Sequence, residues 1–335
     1  MTGVTFTAGS GLNDSIYGKS EDAIKMIIEK KAEAMEQQSL LPSMFAMGTS
    51  DHFSEKITGL TAMTGFLPKG ENALNPIDEM QEGYAKTIEH EEWGDEFSIS
   101  RKIMDDSIVS EIKNRPAAFT AGYYRSRERF GAGLFEAALD ATTFTFPGSA
   151  YSFSTLGADG KRLFAEDHPS KVSGADQINS YTNAFSVDAL GLVESAMQGY
   201  KGDNGEILAL APDTIIIPNH HSLKRDVFAA IGADKDPETA NNATNYQFGR
   251  WNVIINPYLN EFDSSTKFWI LCDSKYNQMN MCAAWFDRVS LEVDNYIDKK
   301  TGASVWTGYG RWGAGFSDWR AFAVGGNSTS STTLA

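Results

Sequence analysis

Cysteine is nearly absent from this chain, with only Cys272 and Cys282 in 335 residues. Without companion pairs, they exclude a disulfide framework and a structural zinc site, and they read as buried thiols in a reducing compartment. No leader is expected either. The opening MTGVTFTAGSGLND has no basic region followed by an apolar one, and nowhere do about 18 apolar residues run together, so neither a signal peptide nor a membrane span is expected. Positive charge is scarce: 29 Lys and Arg stand against 44 Asp and Glu, for a net charge of −15. A surface of that sign repels phosphate and argues against sequence-directed binding of nucleic acid.

The signatures of common chemistries are also missing. Gly9-Ser10-Gly11 fails as a dinucleotide fingerprint, because Asp14 stands where a third glycine is needed and no apolar strand precedes it. No phosphate loop ending in Lys-Ser or Lys-Thr and no Gly-x-Ser-x-Gly elbow occurs. Asp203-Asn204-Gly205-Glu206 looks like the centre of a calcium loop, yet Ala211 occupies the place of the bidentate Glu, so a tight turn is expected. His220 and His221 lack a third ligand at useful spacing and precede a helix. His168, beside Glu166 and Asp167, reads as part of a turn closed by Pro169. Asp105-Asp106, at a strand-to-helix junction, reads as capping. No catalytic, cofactor-binding or metal-binding residue is assigned, and no enzyme activity is expected.

What the chain has is aromatic surface, with 20 Phe, 12 Tyr and 7 Trp, suited to strands and buried interfaces. Residues 1–19, rich in Gly, Ser, Thr and Asn, read as an extended arm. Ser20 then caps an amphipathic helix that carries Ile24, Ile27, Ile28 and Met35 and stops near Leu41-Pro42. From 53 to 82, apolar Ile57, Leu60, Met63, Phe66 and Leu67 alternate with Gly59, Gly65, Pro68, Gly70 and Pro76. This reads as a long protruding loop with its tip near Lys69, of a length that calls for a function or a partner.

The stretch 83–140 organises the rest. Ile88, Phe97 and Ile99 among polar residues predict a hairpin turning at Trp93-Gly94-Asp95. Pro116 then opens a long helix, about 116–140, whose Phe119, Tyr123, Phe130, Leu134 and Ala138 form one apolar stripe. Arg125, Arg127 and Arg129 with Glu128 read as a solvated or inter-subunit ionic face, so Arg127→Glu is expected to leave the fold intact and impair association. After an irregular connection, Ser186 caps a helix to Tyr200. The section 206–286 mixes strands at 207–210, 214–218, 251–255 and 268–272 with a helix over 222–231, the pattern of an α+β domain. Strands return at 289–297 and 304–324, with Trp306, Trp312 and Phe316 on one face. The tail, GGNSTSSTTLA, carries no core signal.

Certain stretches, taken in order, carry a family likeness. These are Phe97-Ser98-Ile99-Ser100-Arg101-Lys102-Ile103-Met104-Asp105-Asp106, Asp159-Gly160-Lys161-Arg162-Leu163-Phe164 with Asp167-His168-Pro169, Leu210-Ala211-Pro212-Asp213-Thr214-Ile215-Ile216-Ile217-Pro218, and Arg311-Trp312-Gly313-Ala314-Gly315-Phe316-Ser317-Asp318-Trp319-Arg320. In this order the chain resembles the major capsid proteins of tailed bacteriophages with the Hong Kong 97 type fold, the Mu-like major head subunits among them. The resemblance implies an α+β fold with an N-terminal arm at 1–52 and an E-loop at 53–82. A peripheral P-domain would take 83–205 and 287–325, an axial A-domain 206–286, and a tail 326–335.

It further implies a subunit that assembles into hexamers and pentamers, the icosahedral shell around packaged double-stranded DNA, within virions assembled in the host bacterial cytoplasm. Partners would be a separate scaffolding protein, a portal and decoration proteins. Phe66, Lys69, Arg125, Arg127 and Arg129 are the expected inter-subunit contacts. An encapsulin-type nanocompartment shell shares the fold. The Trp- and Tyr-rich C-terminal strands also admit a carbohydrate-binding or adhesin module on a virion surface, and His168 or His220 a hydrolase.

Overall fold

In the computed structural model, the described residues are 4–6, 16–60, 66, 68–71, 74, 75, 77, 82–106, 109–172, 174–232, 244–261 and 267–334. The first half of the chain contributes strand β1 (Thr5–Phe6), helix α1 (Ile16–Glu36), the short helix α2 (Leu41–Met44) and strands β2 (Ala46–Thr49), β3 (Ser54–Leu60), β4 (Glu82–Glu89) and β5 (Glu91–Ile99). Helices α3 (Arg101–Asp105) and α4 (Val109–Ala137) follow, then strands β6 (Thr143–Thr145) and β7 (Ser152–Ser154). The second half holds α5 (Val187–Gln198), β8 (Thr214–Pro218), α6 (His221–Gly232), β9 (Asn252–Asn256), β10 (Trp269–Cys272), α7 (Ser274–Asn280), β11 (Ala283–Ile297), β12 (Ser304–Phe316) and β13 (Phe322–Gly325). This is the α+β class expected.

The hairpin expected at Trp93-Gly94-Asp95 does not form. Those residues lie mid-strand in β5, paired with Gly310, Tyr309 and Gly308 of β12. The chain breaks instead at His90, and β4 pairs with β3 rather than with β5. Gly313 makes that crossing possible, because a Cβ there would lie 2.3 Å from the Glu89 carbonyl oxygen, closer than any side chain tolerates. Pairing with β12, more than 200 residues further along the chain, overrides the local turn signal.

Helix α4 begins at Val109, so Pro116 sits inside it and not at its start. Proline lacks the N–H that would bond the Ile112 carbonyl, a defect the helix carries because its packing supplies the stability. At 29 residues it is about 43 Å long. Its stripe is as expected: Phe130, Leu134 and Ala138 are fully buried and Phe119 nearly so. Likewise α1 starts four residues before Ser20, and its Ile24, Ile28 and Ala32 are buried one turn apart. Ile24 and Ile28 join Ile99, Phe119, Leu291, Val293 and Trp306 in a satellite core, so this helix docks on its own chain.

Two sheets share the main core. One runs β1-β11-β12-β5 with β2 also on β11, and the other runs β13-β10-β8-β9. Phe130 of α4 with Trp285 and Trp312 of the first sheet, and Val227 of α6 with Ile216 and Trp269 of the second, belong to one contiguous apolar cluster. Two section boundaries therefore shift. Strand β11 already begins at Ala283, and β13, near the chain's end, pairs antiparallel with β10 of the 206–286 section. The strand expected at 207–210 is absent, since Ala209 adopts φ 52°, outside the strand region.

The Ser186 cap is as expected, its side chain accepting from Ala189 N. The tail, read as lacking a core signal, is nonetheless tied down. Asn327 Nδ2 donates to Ser180 Oγ at 2.8 Å, and Leu334 N donates to Asn183 Oδ1 at 2.9 Å.

Candidate functional site

The protrusion is the feature that the rest of the fold does not use. Its legs are β3 and β4, antiparallel from Ser54↔Glu89 to Leu60↔Glu82, with a bulge between Thr58 and Leu60. Gly83 lies opposite that bulge, and a Cβ on it would stand 3.0 Å from the Gly59 oxygen, so the two legs touch backbone to backbone. Two lysines fasten the root. Lys86 Nζ donates to Ser154 Oγ (3.1 Å) and the Leu156 carbonyl (2.8 Å), and Lys171 Nζ donates to the Gly83 carbonyl (3.0 Å). Burial pushes the Lys86 ammonium below its ordinary pKa.

Beyond the root, side chains have little to pack on. Phe66, Leu74 and Ile77 are each at least 92% exposed. Lys69 is exposed too, its Nζ donating to Asn75 Oδ1 at 2.7 Å within the same loop. Met63 and Leu67 lie outside the described residues. Leu74 and Ile77 were missed in the sequence; the signal was an apolar residue on either side of Asn75-Pro76, where a plain turn would be polar.

The three arginines of α4 separate. Arg125 is exposed. Arg129 forms a two-point ion pair with Glu261, its Nε 2.8 Å from Oε2. Arg127 is a correction: its side chain is 7% exposed, paired at 2.8 Å with Asp287 and enclosed by the rings of Tyr123, Trp285 and Trp312. The helix turns about 100° per residue, so spacing by two cannot keep three side chains on one face. Arg127 points to the sheet and is not available to a neighbour.

The groups weighed for chemistry are committed to the scaffold. The His168 ring is buried, with Nδ1 2.7 Å from Asp159 Oδ2, Nε2 3.1 Å from Asn179 Oδ1, and its face stacked on Trp319. His220 Nδ1 meets Ser222 Oγ at 3.1 Å, at the start of α6. Asp105 pairs with Arg101 within α3, and the cap at that junction is Ser100, accepting from Ile103 N. Asp203 lies in the expected turn, closed by Gly202 N to the Glu206 oxygen, and its carboxylate takes Arg320. Among the described residues no group of three His, Cys, Asp or Glu side chains could hold a metal ion. Trp306, Trp312 and Trp319 are at most 3% exposed, so the C-terminal strands present no tryptophan platform for a sugar ring.

The groups weighed for catalysis are thus engaged within the subunit's own scaffold, and Phe66, Leu74 and Ile77 stand uncovered on the loop. The chain belongs to the phage capsid protein family, whose pattern matches residues 83–325. No curated protein matches the sequence. Among solved structures, similar chains include one from Microbacterium phage Oxtober96, at 13% identity and a TM-score of 0.48, covering 84% of this chain and 88% of that one. Another, from Mycobacterium phage Adephagia, is 14% identical with a TM-score of 0.47, covering 87% and 85%. A third, from the capsid of a native GTA particle, is 12% identical with a TM-score of 0.47, covering 84% and 88%.

Proposed function

We propose that this chain is the major head subunit of a tailed phage, assembling with copies of itself into hexamers and pentamers of an icosahedral shell around double-stranded DNA. Beyond family membership over 83–325, the observation that carries this reading is the protrusion, whose Phe66, Leu74 and Ile77 stand in solvent. Apolar side chains of that size are stabilised by about 1.5–3 kcal/mol each when covered, and a closed symmetric assembly of identical chains covers every copy's loop in the same way. Residues 53–82 act as the E-loop, with Phe66 and Lys69 against a neighbour. Residues 83–205 and 283–321 act as the peripheral domain. Residues 206–282, with β13 completing their four-stranded sheet, act as the axial domain.

Arg125 and the outer side of the Arg129–Glu261 pair contribute charged contacts at the rim. The shell is built in the host bacterial cytoplasm with a separate scaffolding protein, closes on a portal, takes decoration proteins outside, and is carried as the virion. The net charge of −15 suits a lining that holds packed DNA without binding it by sequence. Sedimentation velocity on the purified full chain tests the reading. Capsomer-sized or larger particles are expected, and a monomer at every concentration would overturn it.

A further inference from the structure

Beneath the α1–α2 turn lies a cavity of about 490 Å³. Its mouth is formed by exposed Glu36, Met47 and Thr49, and its floor by buried Arg127, Glu128 and Asp287. On the floor, the charges of Arg127 and Asp287 cancel in their ion pair. Glu128 is different. Its Oε1 accepts from Ser39 Oγ (2.5 Å) and Leu40 N (3.0 Å), which holds the turn between α1 and α2. Its Oε2 is buried without a hydrogen-bond partner, on a residue only 9% exposed. A buried carboxylate oxygen left without a donor costs several times more than an ordinary hydrogen bond returns. Burial accordingly pushes the Glu128 carboxyl up, against the pull of the Ser39 and Leu40 donors.

We propose that this cavity is a binding site for one ammonium or guanidinium group, a Lys or Arg side chain of a second copy of this chain, which donates to Glu128 Oε2. The proposal rests on the reading of the chain as a shell subunit. Charge complementarity selects the occupant: with Arg127 and Asp287 cancelling each other, the carboxylates of Glu128 and Glu36 leave the lining net negative. A long basic side chain matches the shape, since its stem can lie along Met47 at the mouth while its charged head reaches the floor. No three-ligand metal set exists among the described residues to favour a chelated ion instead.

The test is an electron cryomicroscopy map of shells assembled from the full chain. A Lys or Arg nitrogen of a neighbouring copy is expected within about 4 Å of Glu128 Oε2. A cavity holding water, a metal ion or only its own chain's groups would overturn the proposal. Glu128→Gln supplies a functional arm, because it keeps the Oε1 acceptor for Ser39 and Leu40 and removes the charge. The variant subunit is expected to unfold no more easily than wild type but to weaken association about tenfold or more. Association at wild-type strength would count against the site. Shells from wild type with an empty cavity would sink this proposal alone, whereas wild type that never associates would sink the shell reading with it.

Discussion

Arg127 on α4 and Asp287 on β11 meet at 2.8 Å across 160 residues of sequence, both less than a tenth exposed. Trp285 Nε1 adds a second donor to the same carboxylate at 2.9 Å, and Arg127 Nη1 also donates to Tyr123 Oη at 3.1 Å. The pair joins the long helix to the central strand of the five-stranded sheet. Removing one partner leaves a buried charge uncompensated, so Arg127→Met is expected to cost about 3–5 kcal/mol, and adding Asp287→Asn to recover part of that. Urea unfolding of both variants measures it. Arg127→Glu, which places two carboxylates together, is expected to give no folded subunit, in contrast to the mild effect that a surface position would have.

Phe130 is fully buried, 4.7 Å from the ring of Phe153 and 5.7 Å from Trp285. Phe130→Asp is expected to abolish soluble folded protein, since the carboxylate would have no donor there. Phe130→Leu should cost far less and remain soluble. Soluble expression and circular dichroism distinguish the two.

The loop behaves in the opposite way. Phe66→Ser with Leu74→Ser should change subunit stability by less than about 0.5 kcal/mol, as expected for exposed sites, while abolishing assembly. Denaturant titration and sedimentation on the same preparation report both quantities.

Glu166 holds the tail through Ser330 Oγ (2.6 Å), Ser331 N (2.8 Å) and Thr332 N (2.6 Å). Desolvation pushes its carboxyl up, but the hydroxyl and backbone donors outweigh it and hold the pKa at about 2. A depressed carboxylate pKa gives stability that is fully present above the ordinary value of 4.5 and lost as pH falls from there through about 2. The tail is therefore expected to detach over that window. Glu166→Gln should loosen it at neutral pH, read as faster trimming by carboxypeptidase than in wild type.

Local patterns were legible in the sequence where one element's own periodicity decides the outcome. The buried stripe of α4, the Ser186 cap and the apolar face carrying Trp306, Trp312 and Phe316 follow from spacing alone. What was not legible depends on partners distant in sequence. Trp93 reads as a turn residue, yet stacks on Trp312 at 4.6 Å. Arg127 reads as surface charge because nothing near it in sequence announces Asp287. The tail's hydrogen bonds run to residues about 150 positions earlier, which no window on GGNSTSSTTLA contains. For the loop the sequence showed length and apolar content, and the fold added that Phe66, Leu74 and Ile77 stand exposed on their own chain.

Negative-stain electron microscopy of the concentrated full-length protein tests the central claim most directly. Closed shells, or rings with fivefold and sixfold symmetry, are the predicted result. A field of single subunits at every concentration, with Phe66, Leu74 and Ile77 still in solvent, would contradict it.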